Sequence, residues 1–165
     1  MNNTLIVFAS EHGTVEKCAR ELFRLIDGKV DICDLSQRQI IPDLTGYDSI
    51  IIGGSIHYGE IQKAISDFCK TNLDLLNKKR IGLFINCIYT GDKAMQQLNN
   101  AFPKELNDKA VVRDYFGGEI NDLKLNYFER FITKQIIKKE NLVVSLSREK
   151  IVQFAKVISN HETKE

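Results

Sequence analysis

The stretch Thr4-Leu5-Ile6-Val7-Phe8-Ala9-Ser10-Glu11-His12-Gly13-Thr14-Val15 constrains this chain more than any other. An apolar, β-branched run stops at a small hydroxyl residue. A short polar loop with one glycine follows, and then an amphipathic helix begins. A buried strand therefore feeds a helix N-terminus, where free backbone N–H groups and the positive end of the helix dipole favour an anion such as a phosphate. Ser10 and Thr14 can add hydroxyl donors. Taken alone, the motif is equally a strand followed by a capped helix with no ligand.

The rest of the chain repeats the strand–helix alternation. Leu5–Ala9 reads as a first strand and Thr14–Ile26 as a helix, with Val15, Cys18, Ala19, Leu22, Leu25 and Ile26 on one face. Val30–Asp34 is a second strand. Ser49–Gly53, with three consecutive isoleucines, has the composition of a strand covered on both faces. Ile61–Leu76 is read as helical, Ile81–Asn86 as a fourth strand, and Asp92–Asn99 as a helix capped by Asp92. A fifth strand falls within Ala110–Gly117. Leu125–Lys139 and Ser147–Asn160 are the last helices, with Ser147 as the cap of the second. This alternation predicts an α/β fold with a doubly wound, five-stranded parallel sheet and helices on both faces. At 165 residues the chain is most simply one domain, residues 1–165.

Composition excludes several classes. Hydrophobic residues are 43% and charged residues 27%, values of a globular chain. A net charge of +1 gives no sign of nucleic-acid binding. There is no signal-peptide pattern and no apolar run long enough to span a bilayer. Cys18, Cys33, Cys69 and Cys87 form no CxxC pair, so free thiols in a cytoplasmic protein without a metal site are expected.

In such sheets ligands sit beyond the carboxyl ends of the strands where strand order reverses, which for the order 2-1-3-4-5 lies between the first and third strands. Those strands end at Ser10 and at Gly53-Gly54-Ser55. The second loop, Gly53–Gly59, has three glycines for close backbone approach to a flat ligand, and Tyr58 to stack on it. The third, Asn86-Cys87-Ile88-Tyr89-Thr90-Gly91, offers Tyr89 as a second ring wall and Asn86 as a polar contact. Cys87 is either redox-active beside such a ring or simply a small, semi-buried residue. Three such loops at one sheet edge favour a mononucleotide.

These segments resemble the flavodoxin-domain family over nearly the full chain. The resemblance implies the flavodoxin-like sheet order 2-1-3-4-5 and non-covalent FMN. Ser10, Glu11, His12, Gly13, Thr14 and Val15 match the family's phosphate loop. Gly54, Ser55, Ile56, His57, Tyr58 and Gly59 match the second loop, and Asn86, Cys87, Tyr89, Thr90 and Gly91 lie where the third should be. Val15 stands where the family usually has a threonine. One hydroxyl contact to a charged group, worth about 1.5–3 kcal/mol, is thereby missing.

Within the family, Ser55-Ile56-His57-Tyr58-Gly59 and Tyr127-Phe128-Glu129-Arg130-Phe131-Ile132-Thr133-Lys134 resemble elements of the menaquinone-dependent protoporphyrinogen dehydrogenases. That implies an oxidoreductase exchanging electrons with a quinone or a redox protein. The chain departs from those enzymes in two places. Tyr89–Lys109 is shorter than their arginine-rich insertion and holds only Lys93, Lys104 and Lys109 as cations for a porphyrin's propionates, and His57 replaces an arginine. The alternative is a small electron carrier with no substrate of its own, and a third reading keeps the fold without flavin. The helix 125–139 combines an apolar stripe of Leu125, Phe128, Ile132 and Ile136 with Lys124, Arg130, Lys134, Lys138 and Lys139. It is a candidate for peripheral membrane contact, although packing of the stripe on the sheet is the expected arrangement.

Overall fold

The structure, a computed structural model, describes residues 2–37, 40–119, 127–140 and 145–160. Strands β1 (Asn3–Phe8), β2 (Lys29–Asp34), β3 (Ser49–His57), β5 (Arg80–Asn86) and β6 (Val112–Tyr115) form a parallel sheet in the order β2-β1-β3-β5-β6. A two-residue strand, β4 (Glu60–Ile61), pairs antiparallel with the end of β3. Leaving β4 aside, the order is the expected 2-1-3-4-5, and the switch point falls between β1 and β3.

Side chains alternate across the sheet with period two, so each strand feeds two cores. Leu5, Val7, Ile50, Ile52, Ile81, Leu83 and Ile85 face one side. There they meet α2 (Lys63–Thr71), α3 (Leu73–Leu76), α4 (Gly91–Ala101) and α5 (Lys104–Lys109). Ile6, Phe8, Ile51 and Phe84 face the other, against α1 (Thr14–Leu25) and α7 (Arg148–Ser159). On that side Phe84 stacks on Phe116 at 4.9 Å between ring centroids, and Phe154 meets both rings edge-on. The isoleucine triplet is fully buried because helices cover both faces.

Three readings of local structure are corrected, and one helix is added. The segment Ile61–Leu76 is not one helix. Ile61 belongs to β4, and Asn72 ends α2 by turning both its backbone N–H and its side-chain Nδ2 onto the Phe68 carbonyl. Asp92 does not cap α4, which starts one residue earlier at Gly91 with no side-chain cap. The sequence pattern does not announce helix α5, which follows Pro103. Helix α6 (Tyr127–Glu140) forms as expected, but Ile132 of its apolar stripe is 40% exposed and the neighbouring Phe131 is 56% exposed. Leu125 and Lys124 of the same reading lie outside the described residues. The Ser147 cap is as expected: its hydroxyl accepts from the Lys150 N–H.

Candidate functional site

Parallel register aligns Phe8, Gly53 and Phe84 on adjacent strands, so the segments that follow all leave the sheet at one edge. The first is Ser10–Val15. Its turn is made by Gly13, which at φ 88 occupies the left-handed region that glycine enters without penalty. The Ser10 hydroxyl accepts from the N–H of Gly13 and of Glu16, closing the start of α1 from within. The N–H groups of Glu11, His12, Thr14 and Val15 have no acceptor among the described residues. The Val15 side chain is 1% exposed and packs into the core. Only its backbone N–H is left to face a ligand.

The second segment is not an open loop. Strand β3 continues through His57, and Ile56 and His57 pair with Ile61 and Glu60 in a tight hairpin. Its two turn residues, Tyr58 at φ 52 and Gly59 at φ 80, both have positive φ, as a type I′ turn requires. For glycine this is free. For tyrosine it costs about 1–3 kcal/mol. The result is an aromatic ring fully exposed at the hairpin tip.

Gly53 and Gly54 also have a packing role that the sequence does not show. A Cβ on Gly53 would lie 2.0 Å from Cζ of Phe84, and one on Gly54 would lie 2.5 Å from Oε1 of Gln62. Both glycines make room for neighbouring side chains of the protein itself. Gln62, which the sequence reading passed over, bridges the two strands at the switch point. Its Nε2 donates to the Ala9 carbonyl and to the Ser55 hydroxyl, and its Oε1 accepts from the Ser55 N–H. The expected helix Ile61–Leu76 includes Gln62, so the sequence carries no signal that sets it apart.

His57 and Glu11 approach to 3.6 Å, and the rings of His12 and His57 meet edge-on at 5.8 Å. Donor atoms of Glu11, His12 and His57 lie within 4.8 Å of one another. Glu11 and His12 are exposed, so the mouth of the crevice is polar.

In the third segment Asn86 is 3% exposed. Its Nδ2 donates to the Gly117 carbonyl at 2.8 Å and lies 3.4 Å from Cys18 Sγ, while its Oδ1 has no partner among the described residues. The amide nitrogen ties β5 to the chain leaving β6, which leaves only Oδ1 as a polar contact. Tyr89 is half-buried under Lys93, whose Nζ sits 3.6 Å above the ring centroid. Thr90 is exposed, and Gly91 at φ 62 donates its N–H to the Tyr115 hydroxyl.

Cys87 is buried, and its Sγ–H reaches the Tyr89 carbonyl at 3.5 Å. Burial raises its pKa, only partly offset by that hydrogen bond. Burial also pushes Cys18 up to about 11 and Cys69 up to about 12. A thiol held protonated and out of water is a poor nucleophile. Native protein treated with a disulfide thiol reagent at neutral pH is therefore expected to react far more slowly than a free cysteine, and all four thiols should appear on unfolding. Fast release of one equivalent from native protein would show that Cys87 is accessible after all.

Residues 5–142 match the flavodoxin domain family, and the chain belongs to that family. It is 22% identical over 175 aligned positions to protoporphyrinogen IX dehydrogenase [quinone] of Escherichia coli strain K12, covering 95% of this chain and 94% of that protein. In structure it superposes on oxidised flavodoxin 1 from Bacillus cereus with a TM-score of 0.60 at 18% identity, covering 98% of this chain and all of the other. A flavoprotein in complex with FMN from Lactobacillus acidophilus NCFM superposes with a TM-score of 0.50 at 18% identity over 70% of this chain and 93% of that one. Family membership implies a flavin site and redox partners. Among the described residues no helix is long and apolar enough to cross a membrane.

Proposed function

We propose that this chain is an FMN-dependent oxidoreductase of the flavodoxin-domain type, acting in the cytoplasm and exchanging electrons with a quinone or a redox protein. The observation that carries the reading is the edge where β1, β3 and β5 end together. It combines unsatisfied N–H groups at the start of α1, a fully exposed Tyr58 and a third segment bearing Tyr89.

FMN would supply the electron transfer itself. The residues of this chain would bind and orient it. The N–H groups of Glu11, His12, Thr14 and Val15 would meet the phosphate, joined by the Thr14 hydroxyl, with Ser10 and Gly13 shaping the turn. Tyr58 and Tyr89 would supply aromatic faces, and the backbone of Gly54–Gly59 would supply polar contacts to the ring edge. Ser55 would act through its carbonyl, because its N–H and hydroxyl are already engaged. Glu11 is 53% exposed and sits beside His57, so its charge is screened from a phosphate.

The likeness to a quinone-dependent dehydrogenase supports a quinone as acceptor and makes porphyrinogen a substrate to test. A carrier with no substrate of its own is the second reading. The acidic surface such carriers use for docking is not evident in a chain with 23 Lys+Arg against 22 Asp+Glu. The test is a visible spectrum of purified protein before and after FMN addition and desalting. A retained, protein-shifted flavin spectrum is expected, and quinone and porphyrinogen turnover would then separate enzyme from carrier. Protein that releases all added FMN would sink both readings.

A further inference from the structure

The bonds around Ser55 leave little freedom in where their protons sit. The Ser55 backbone N–H can only donate, so the Gln62 atom 2.9 Å away is the amide oxygen. The Ala9 carbonyl can only accept, so the atom 3.1 Å from it is the amide nitrogen. Two independent backbone groups thus fix the same orientation of the Gln62 carboxamide. Its second N–H then points at the Ser55 hydroxyl, 2.7 Å away. An amide nitrogen cannot accept, so the Ser55 oxygen accepts from Gln62 and keeps its own proton to donate. Among the described residues the only acceptor within its reach is Nε2 of His57, at 3.0 Å.

We propose that Gln62 and Ser55 are positioning residues that order the proton of His57. They hold the neutral imidazole with Nε2 as acceptor toward Ser55 and with the proton on Nδ1. Which ring nitrogen is protonated is set by the hydrogen bond that the other one makes. Here that bond is dictated by a backbone-anchored amide two links away. The Glu11 carboxylate favours the opposite arrangement, a proton on Nε2, but at 3.6 Å it lies beyond hydrogen-bond distance. His57 has a 40% exposed side chain at the mouth of the crevice, so the ordering gives it a donor, Nδ1–H, to offer a bound ligand or substrate. That last consequence rests on the crevice being the binding site. The proton order itself does not.

The tautomer is read directly from long-range proton–nitrogen correlation spectra of ¹⁵N-labelled full-length protein without added flavin. The sample is held at about pH 8, well above the ordinary imidazole range. A chelator is present, because the donor cluster of Glu11, His12 and His57 could capture stray zinc. His57 is expected to be predominantly the Nδ1–H form. Ser55→Ala should return it to the Nε2–H form that free histidine favours, and Ser55→Thr, which keeps the hydroxyl, should retain Nδ1–H. Gln62→Glu should reverse the chain: a carboxylate accepts the Ser55 proton, so Ser55 must accept from His57 and the proton moves to Nε2. Wild-type protein in the Nε2–H form, or Ser55→Ala unchanged from wild type, overturns the proposal. Both results are independent of whether FMN binds.

Discussion

Replacing Gly53 by alanine is expected to destabilise the protein by about 3 kcal/mol, at the upper end of what overpacking a core costs. Gly53 and Phe84 are register partners on adjacent central strands. The Phe84 ring lies across the glycine, and an added Cβ would fall 2.0, 2.1 and 2.5 Å from three of its carbons. The ring cannot simply swing aside, because Phe116 stacks on it and Phe154 closes the third side. Relief would require repacking three buried aromatic residues or spreading β3 from β5. The check is urea unfolding of Gly53→Ala, Phe84→Leu and the double variant. If the clash is the cause, the double variant should be more stable than the sum of the single losses implies, by roughly 1 kcal/mol or more. Near-wild-type stability of Gly53→Ala, or strict additivity, would show that the sheet yields at this point and that the close approach has another role.

The same glycine shows where the sequence was legible and where it was not. The sheet could be read because its strands, buried on both faces, are nearly continuous apolar runs. The isoleucine triplet Ile50–Ile52 announces such a strand without any partner being known. The parallel arrangement then follows from alternation and handedness, whereas the order 2-1-3-4-5, and with it the placing of the three segments at one edge, comes from the resemblance to flavodoxins. What could not be read depends on contacts between segments distant in sequence. Gly53 and Gly54 look like a ligand-facing loop until Phe84 and Gln62 are placed beside them. The tie from the Asn86 amide nitrogen to the Gly117 carbonyl is equally invisible in the sequence. The hairpin at Tyr58 was hidden because a bulky residue at positive φ is uncommon, and only Gly59 carried the usual turn signal. On α6 a period-3.6 stripe gave the helix correctly, but Ile132 shows that periodicity does not guarantee burial.

FMN is expected to bind at least about 100-fold more tightly than riboflavin, a difference of about 3 kcal/mol. The two ligands share the ring and differ in the phosphate, so the ratio isolates the contribution of the first loop. Hydrogen bonds to a charged group are worth roughly 1.5–3 kcal/mol each, and two fully formed ones suffice for the expected ratio. Among the described residues the N–H groups of Glu11, His12, Thr14 and Val15 have no acceptor, while those of Gly13 and Glu16 are held by Ser10. The loop is therefore already turned for an anion and has no internal bond to break when one arrives. Val15 reduces the advantage by a side-chain hydroxyl but leaves its backbone donor in place. Because the attraction is largely electrostatic and partly exposed, the ratio should narrow as ionic strength rises. Fluorescence titration of both flavins at low and high salt measures it. Equal affinities would mean that the protein holds a ring without using the α1 terminus, and attention would move to Tyr58 and Tyr89. If neither flavin binds, the redox reading falls, and the open N–H groups of Glu11, His12, Thr14 and Val15 would have to serve a different anion.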